Sequence, residues 1–196
     1  SSYWPSYSEY DNCLAKGWHV APTNNQDNHK GKWGDANTCR DVVITDNFTE
    51  AGIYEAMSER RVYATEDQNL RIYYYLNDNL MGAIIDTGDE TIKDVHIVAS
   101  ISDPDGEKLG KVQVIGENGL VLASFDAPGS TYELDTTLPN TDAYYYLKIT
   151  QADGDIAVTA PVWVGVATPI VADIDTDAAL SVVGQTETIT ATVDNA

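Results

Sequence analysis

The sequence predicts an α+β fold in which a mixed helix-and-strand segment is followed by an antiparallel β-sandwich and then by a strand-rich tail. Three observations support this prediction: one clear amphipathic helix at 50–60, a series of short β-rich runs from 70 to 164, and a Thr-Pro break at 168–169 before two further β-rich runs. We therefore divide the chain into residues 1–67, 68–166 and 167–196.

The first segment begins with a predicted helix over 10–16, which ends at Gly17 because a left-handed helix cap favours glycine. Residues 42–44 form a short apolar run between polar flanks, which is typical of a buried strand. Two cysteines, Cys13 and Cys39, lie on either side of the polar stretch between these elements. They form either a disulfide, if the protein is exported, or two half-buried thiols.

The helix over 50–60 has a complete set of terminal signals. Thr49 is a suitable N-cap, and Phe48 and Ile53 occupy the positions of a hydrophobic staple around that cap. The apolar stripe predicted to face the core consists of Ile53, Ala56 and Met57.

The second segment alternates short β-forming runs with turn sequences, at intervals of about 8 to 12 residues. The predicted strands and hairpins cover 70–76, 95–101, 112–125 and 144–164, with turns at 77–79, 103–106, 117–119 and 152–155. This spacing predicts an immunoglobulin-like sandwich with at least about six strands. The residues expected in its core are Ile72, Ile97, Val114, Leu122, Leu147 and Val158.

Two tyrosine triplets, 73–75 and 144–146, lie in predicted strands. Alternate tyrosines should pack inward and face outward, although an outward row could also form a carbohydrate-binding platform. His96 lies within a predicted strand, and we expect a structural role for it. In the third segment, Asp173, Asp175 and Asp177 indicate a solvated linker or, alternatively, a calcium-binding loop.

The charge of the chain argues against nucleic acid as a partner. Its 31 acidic and 11 basic residues give a formal charge of −20, which repels nucleic-acid phosphates and indicates a well-solvated surface. No run of about 18 or more apolar residues is present, so we predict no membrane span.

The chemically richest stretch is 17–40, which holds Asp27 and His29 two residues apart. In extended backbone their side chains leave on the same side, so a carboxylate and an imidazole could bind one divalent metal ion. His19, ten positions before His29, is expected to be a supporting or surface group.

Three sequence blocks, APTNNQDNHKGKWG, FTEAGIYEAMSERRVYATED and NLRIYYYLNDNLMG, occur in this order within residues 1–85. They resemble the C-terminal part of PHP-type (polymerase and histidinol phosphatase-like) metallohydrolases. The resemblance implies that residues 1–67 are the remnant of a distorted (β/α)7 barrel, and that Asp27 and His29 are metal ligands. The family's opening His-x-His and middle ligands are missing, so we expect a fragment of a larger enzyme.

The resemblance implies that the parent protein is a metal-dependent phosphoesterase, a hydrolase of small phosphate esters. Its cofactors would be divalent ions (zinc, manganese or iron), bound only when the missing N-terminal ligands are supplied. The resemblance assigns the substrate-binding role to Asn24, Asn25, Lys30 and Arg61, with Gln26 shaping the pocket and Arg60 as a further candidate. No residue is assigned as catalytic with certainty, and the isolated chain is expected to be inactive without the rest of the parent chain.

The alternative is a non-catalytic β-sandwich spacer or adhesion module on a cell surface. In both cases we expect a bacterial protein located outside the cell or in the cell envelope. Because the junction at 64–67 lacks a flexible linker, the sandwich should pack rigidly against the first segment, with Trp18, Trp33 and Tyr63 near the contact.

Overall fold

A computed structural model describes residues 7–26, 28–86 and 92–164, which form a mostly antiparallel β structure with two helices. All of them belong to one compact unit. The helices are α1 (Tyr7–Ala15) and α2 (Glu50–Ser58). The strands are β1 (Arg40–Val43), β2 (Val62–Thr65), β3 (Arg71–Leu76), β4 (Asn79–Leu80), β5 (Ile84–Ile85), β6 (Asp94–Ser102), β7 (Gly110–Ile115), β8 (Val121–Ala127), β9 (Thr131–Pro139), β10 (Tyr144–Thr150), β11 (Ile156–Thr159) and β12 (Val162–Val164).

Helix α1 ends at the predicted glycine. Gly17 has φ +81°, and two main-chain hydrogen bonds close the helix, from Gly17 N to Leu14 O (2.9 Å) and from Trp18 N to Cys13 O (3.1 Å). This pair of bonds is a Schellman motif, which satisfies carbonyl groups that the helix leaves without partners.

Helix α2 confirms the predicted cap but not the predicted staple. The Thr49 hydroxyl accepts a hydrogen bond from Gly52 N at 3.2 Å. Phe48, however, is 91% exposed, so the staple with Ile53 is wrong. The chain before the cap folds back on the helix, with the Thr45 hydroxyl 3.3 Å from Gly52 O, and this leaves the Phe48 side chain in solvent. Met57 is also exposed, so the buried stripe is narrower than predicted.

The larger of two sheets contains eight strands, with β10 near its centre. Strand β10 pairs with β7, β11 and β12, and β7 continues to β8. On the other side, β11 pairs with β2, and β2 pairs with β1. Strand β5 pairs in parallel with β12. The first segment therefore contributes strands β1 and β2 to the sheet that carries β7–β8 and β10–β12.

The smaller sheet has the strand order β4-β3-β6-β9 and shares one hydrophobic core with the larger sheet. The Tyr74 hydroxyl crosses this core and donates a hydrogen bond to Tyr145 O at 2.9 Å. Ten strands between 70 and 164 confirm the predicted β character of this interval. Five of the six predicted core residues are buried, and Leu122 is half-buried against the core: the buried set is Ile72, Ile97, Val114, Leu147 and Val158.

A second, smaller hydrophobic cluster lies on the outer face of the larger sheet, beneath α1. It contains Leu14 of α1 together with Tyr144, Tyr146 and Trp163 of the sheet. Strand β10 thus buries alternate tyrosines on opposite faces, as predicted for packing. Because α1 covers the outer face, this triplet offers no exposed binding platform.

Several predictions fall outside the described residues: the two strands in 167–196 and the three aspartates Asp173, Asp175 and Asp177. Within the described ranges, neither helix has the length and apolar character that crossing a membrane requires. Cys13 and Cys39 are half-buried free thiols, in agreement with the second of the two alternatives.

Candidate functional site

The polar segment between α1 and β1 is anchored to the sheet at its start. Asn24 donates a backbone hydrogen bond to Asp41 Oδ1 at 2.5 Å, and its side-chain Nδ2 donates to Thr65 O at 3.1 Å. Asp41 lies on β1 and Thr65 on β2, so one asparagine ties the segment to two neighbouring strands. The side-chain amide nitrogen of Asn24 is thus bound to the main chain of the sheet.

Gln26 organises the far side of the same segment. Its Oε1 accepts a hydrogen bond from Gly34 N at 3.1 Å, and its Nε2 donates to Asn37 O at 3.1 Å. Asn28 Oδ1 accepts from Lys30 N at 2.9 Å and closes a local turn. Because these bonds join positions up to 11 residues apart, the segment has a defined conformation although most of it is exposed.

The segment forms an open cavity of about 320 Å³, lined by Asn25, Gln26, Asn28, His29 and Trp33. Two predicted site residues, Asn25 and His29, therefore meet at one cavity, together with Gln26. Asp27 lies outside the described residues. Lys30 directly follows His29 in sequence and is exposed.

Arg61, the remaining predicted substrate-binding residue, lies beyond the C-terminal end of α2. Its guanidinium Nη2 is 3.0 Å from Glu55 Oε1 in a partly exposed ion pair. Arg60 has a left-handed backbone (φ +57°), donates a hydrogen bond to Gly82 O at 3.1 Å, and places its guanidinium 5.7 Å from the ring centre of Trp163. The two arginines thus have partners in the fold.

His19 packs against the ring of the same tryptophan, Trp163. The His19 and Trp163 ring centres are 4.8 Å apart at an interplanar angle of 64°. Burial, followed by the nearby Arg60 guanidinium, lowers the pKa of His19. The neutral imidazole is therefore a packing group against Trp163. By contrast, the predicted contact through Trp18 and Trp33 is wrong, because these side chains are 62% and 74% exposed.

Tyr63, the third residue predicted at this contact, is buried in the main core, and its hydroxyl donates to Leu70 O at 2.6 Å. His96, predicted to be structural, lies within hydrogen-bonding distance of Asp135, with Nε2 and Oδ1 2.9 Å apart. This partner could not be predicted from the sequence, because the two residues are 39 positions apart and meet only through the pairing of strands β6 and β9.

The structure also contains a group of three carboxyl side chains that the sequence does not indicate. Asp67, Asp103 and Glu107 place one oxygen each within 4.8 Å of one another, and both aspartates are buried. Asp67 is distant in sequence from Asp103 and Glu107, and the local sequences indicate only a junction at 64–67 and a turn at 103–106.

Comparison with known proteins gives relatives without an assigned activity. The chain is 29% identical over 139 residues to an uncharacterized protein of Chlamydia pneumoniae. It is 25% and 24% identical, over the same length, to uncharacterized proteins of Chlamydia muridarum and Chlamydia trachomatis. Each match covers 63% of this chain and 22% of the relative, so the chain spans about a fifth of the length of these relatives. No family model and no solved structure matches.

Proposed function

We propose that this chain is the C-terminal part of a PHP-type metal-dependent phosphoesterase, in which a remnant of the catalytic barrel is followed by an immunoglobulin-like sandwich. The observation that carries the proposal is the cavity formed by the polar segment. His29 and Asn25 line it, and Gln26 and Asn24 hold the segment in place through hydrogen bonds to main-chain atoms. An open cavity that carries an exposed imidazole and side-chain amides beside an indole ring can bind an ion or a small polar ligand.

In this proposal, His29 is the described residue that contributes a ligand to a metal site at this cavity. The imidazole of His29 is a suitable ligand for zinc or iron. Within the described ranges, the one group of three ligand-type side chains lies elsewhere, at Asp67, Asp103 and Glu107. In this proposal the further ligands are Asp27 and side chains from other segments of the parent protein, and the bound metal ions would activate water and polarise the phosphoryl group.

The residues of this chain would then bind and orient the substrate. The Asn25 side chain at the cavity can bind phosphate oxygens by hydrogen bonding. Lys30 is exposed next to His29 and supplies a positive charge for the same oxygens. Arg61 is the weaker of the predicted candidates for this role, because its guanidinium already contacts Glu55.

The test is a phosphatase assay on the parent protein that includes the upstream residues, with bound metal measured in parallel. We expect His29→Ala and Asp27→Ala to reduce activity by about 100-fold and to lower the metal content. The matched control is His96→Ala, which removes an imidazole from the smaller sheet and should leave both quantities unchanged. Full activity and full metal content in the His29 and Asp27 variants would contradict the proposal.

One observation favours the alternative, a non-catalytic module of the cell surface. Tyr73 and Tyr75 are 48% and 37% exposed on the outer face of the smaller sheet. Exposed aromatic rings in a row can bind carbohydrate. If this is the function, a Tyr73→Ala, Tyr75→Ala double variant should lose binding on a glycan array, whereas His29→Ala should keep it. An extracellular or cell-envelope location belongs to the same proposal and can be tested by fractionating the producing bacterium.

A further inference from the structure

One lateral side of the molecule is bounded by two outermost strands, β8 in the larger sheet and β9 in the smaller sheet. Among the described strands, β8 pairs with β7 alone, and β9 pairs with β6 alone. Three residues, 128–130, connect the end of β8 to the start of β9, so both edges lie at the same side of the molecule. Strand β1 lies at the opposite edge of the larger sheet.

Strand β9 is the longer and more regular of these two edges. It extends over nine residues, Thr131–Pro139, and all nine pair with β6 without a shift in register. Strand β8 has seven residues, and its pairing with β7 shifts between Val114 and Ile115. Folded proteins commonly protect a strand edge with a bulge, a short strand or an inward-pointing charge. The described structure of β9 has none of these, so alternate residues direct main-chain N–H and C=O groups away from β6 along a straight edge.

The hydrophobic core is incompletely covered beside this edge. On β6, Ile101 and Val95 are completely buried. Their direct partners on β9, Tyr132 and Leu138, are half-buried although they pack against the same core. Phe125 of β8 is half-buried in the same way on the other sheet. An apolar side chain from a further strand beside β9 would remove this remaining apolar surface from water.

The solvent face of β9 determines which charge such a strand must carry. Glu133 and Asp135 are exposed on this face, and neither β8 nor β9 contains a basic residue. Glu133 Oε1 accepts a hydrogen bond from the Ser100 hydroxyl at 2.7 Å, and Asp135 Oδ1 lies 2.9 Å from His96 Nε2. The Asp135 side chain is nevertheless 78% exposed. Directly opposite residues on a paired strand have Cβ atoms about 4.5–5.5 Å apart, where opposite charges attract and like charges repel.

These two carboxylates disfavour a second copy of the chain as the occupant of the edge. Two β9 strands paired antiparallel about Leu134 would place Glu133 of each copy opposite Asp135 of the other. Antiparallel pairing about Asp135 would place the two Asp135 side chains opposite each other, and parallel pairing would oppose each carboxylate to its own equivalent. Each arrangement brings like charges together in a chain with a formal charge of −20. A strand with basic residues at alternate positions would be attracted at the same positions.

We propose that β9 binds an extended polypeptide segment in which basic and apolar residues alternate, as a fifth strand of the smaller sheet. Its basic side chains lie beside Glu133 and Asp135, and its apolar side chains cover the core beside Tyr132 and Leu138. Both requirements are met by one strand, because successive side chains point to opposite faces. The polar segment around His29 is anchored to β1 and β2 at the opposite edge of the larger sheet, so this interaction does not depend on the proposed enzymatic activity.

The test titrates the full chain with a synthetic nine-residue peptide in which lysine and valine alternate, with an acetylated and an amidated end. The control peptide has the same composition, with lysines and valines in adjacent pairs, so its charge is equal but its alternation is lost. Isothermal titration calorimetry should show one saturable site for the alternating peptide. We expect its Kd to be at least about tenfold lower than that of the control peptide.

Backbone methylation of the probe tests whether binding is strand addition. Alternate residues of a strand direct their N–H groups to opposite neighbours, so one half of the peptide N–H groups would face β9. We compare a peptide that is N-methylated at its lysines with one that is N-methylated at its valines. One of the two should lose at least about tenfold in affinity, while the other should bind like the unmethylated peptide. Equal affinities of the two would contradict main-chain pairing.

Charge reversal tests the location of the site. The double variant Glu133→Lys, Asp135→Lys should bind the lysine peptide at least about tenfold more weakly, and it should bind a peptide of alternating glutamate and valine instead. The matched control is Asp46→Lys, Glu59→Lys, which changes the net charge equally at two exposed positions flanking α2. This control should bind the lysine peptide like the wild type.

General attraction of cations to an acidic chain would give a different pattern. The alternating and control peptides would then bind equally, and the two double variants would lose affinity equally. Either result would overturn the proposal, as would a titration without a saturable component. A stable dimer in sedimentation analysis that the peptide dissociates would assign the edge to a second copy of the chain and would overturn the proposal as well.

Discussion

The register of β3 can be tested with two neighbouring tyrosines, because the strand turns them to opposite faces of the smaller sheet. Tyr74 is completely buried, and its hydroxyl donates to Tyr145 O across the core at 2.9 Å. Tyr73 is 48% exposed on the outer face. Replacing either tyrosine by phenylalanine removes one hydroxyl group and changes nothing else in the side chain.

The expected costs differ because only one hydroxyl is buried. Tyr74→Phe removes the donor and leaves a buried carbonyl of β10 with one hydrogen bond fewer, which should lower the free energy of unfolding by about 1–3 kcal/mol. For a chain of this size that corresponds to a Tm lower by roughly 2–12 °C. Tyr73→Phe should change the free energy of unfolding by less than about 0.5 kcal/mol.

Urea unfolding followed by tyrosine and tryptophan fluorescence, together with thermal unfolding by circular dichroism, measures both variants under the same conditions. If Tyr73→Phe lowered the free energy of unfolding as much as Tyr74→Phe, the burial of Tyr74 and exposure of Tyr73 would be contradicted. A shift of one residue in the pairing of β3 with β6 exchanges the two faces, so equal or reversed costs would mean that the register is wrong.

Three further predictions concern the backbone, the pH dependence and the polar segment. Gly82 has φ +91°, and a Cβ there would collide with the carbonyl of Arg60, so Gly82→Ala should lower the free energy of unfolding in urea by about 2–5 kcal/mol. Gly106 has φ +85° but open space around it, so Gly106→Ala should lower the free energy of unfolding by only about 1–2 kcal/mol. Burial raises the pKa of Tyr63 to about 12, so the folded state keeps a proton that the unfolded chain releases near its ordinary pKa. The stability that this group contributes is complete below about pH 10 and is lost as the pH rises towards 12. Tyr63→Phe should therefore reduce the slope of unfolding free energy against pH in that window by up to about 1.4 kcal/mol per pH unit. Gln26→Ala should accelerate tryptic cleavage after residues 30 and 32, because the bonds that hold 34–37 are lost; an unchanged cleavage rate would show that Gln26 does not order the segment.

Features encoded by adjacent residues could be predicted from the sequence. The hydroxyl of Thr49 caps α2, and Asn77 and Asp78, at φ +46° and +64°, form the predicted turn between β3 and β4. Asn118, at φ +56°, lies in the predicted turn between β7 and β8. Each of these features depends only on residues within a few positions of one another, because the side chains determine the local backbone conformation. They can therefore be predicted without knowledge of the tertiary packing.

Features that depend on tertiary contacts could not be predicted in this way. Gln151 and Asp103 are 48 positions apart, and nothing in either neighbourhood indicates that they meet. The same is true of α1, whose residue Asp11 accepts a hydrogen bond from Tyr146 at 2.8 Å, 135 positions away. The predicted staple between Phe48 and Ile53 is wrong for a related reason. Its sequence pattern is local, but the path of the chain before the cap directs the Phe48 side chain into solvent.

The pairing of β11 between β10 and β2 has a consequence for any attempt to separate the two predicted parts of the chain. Cutting before residue 68 would remove β1 and β2 and leave the backbone groups of Ala157 and Thr159 without their partners on that side. Such a bare strand edge is a template for intermolecular pairing, and loss of α1 would at the same time uncover Tyr146 and Trp163. The N-terminal 67 residues therefore also protect the sheet from aggregation, and a β module excised without them should self-associate even if every one of its own strands forms correctly.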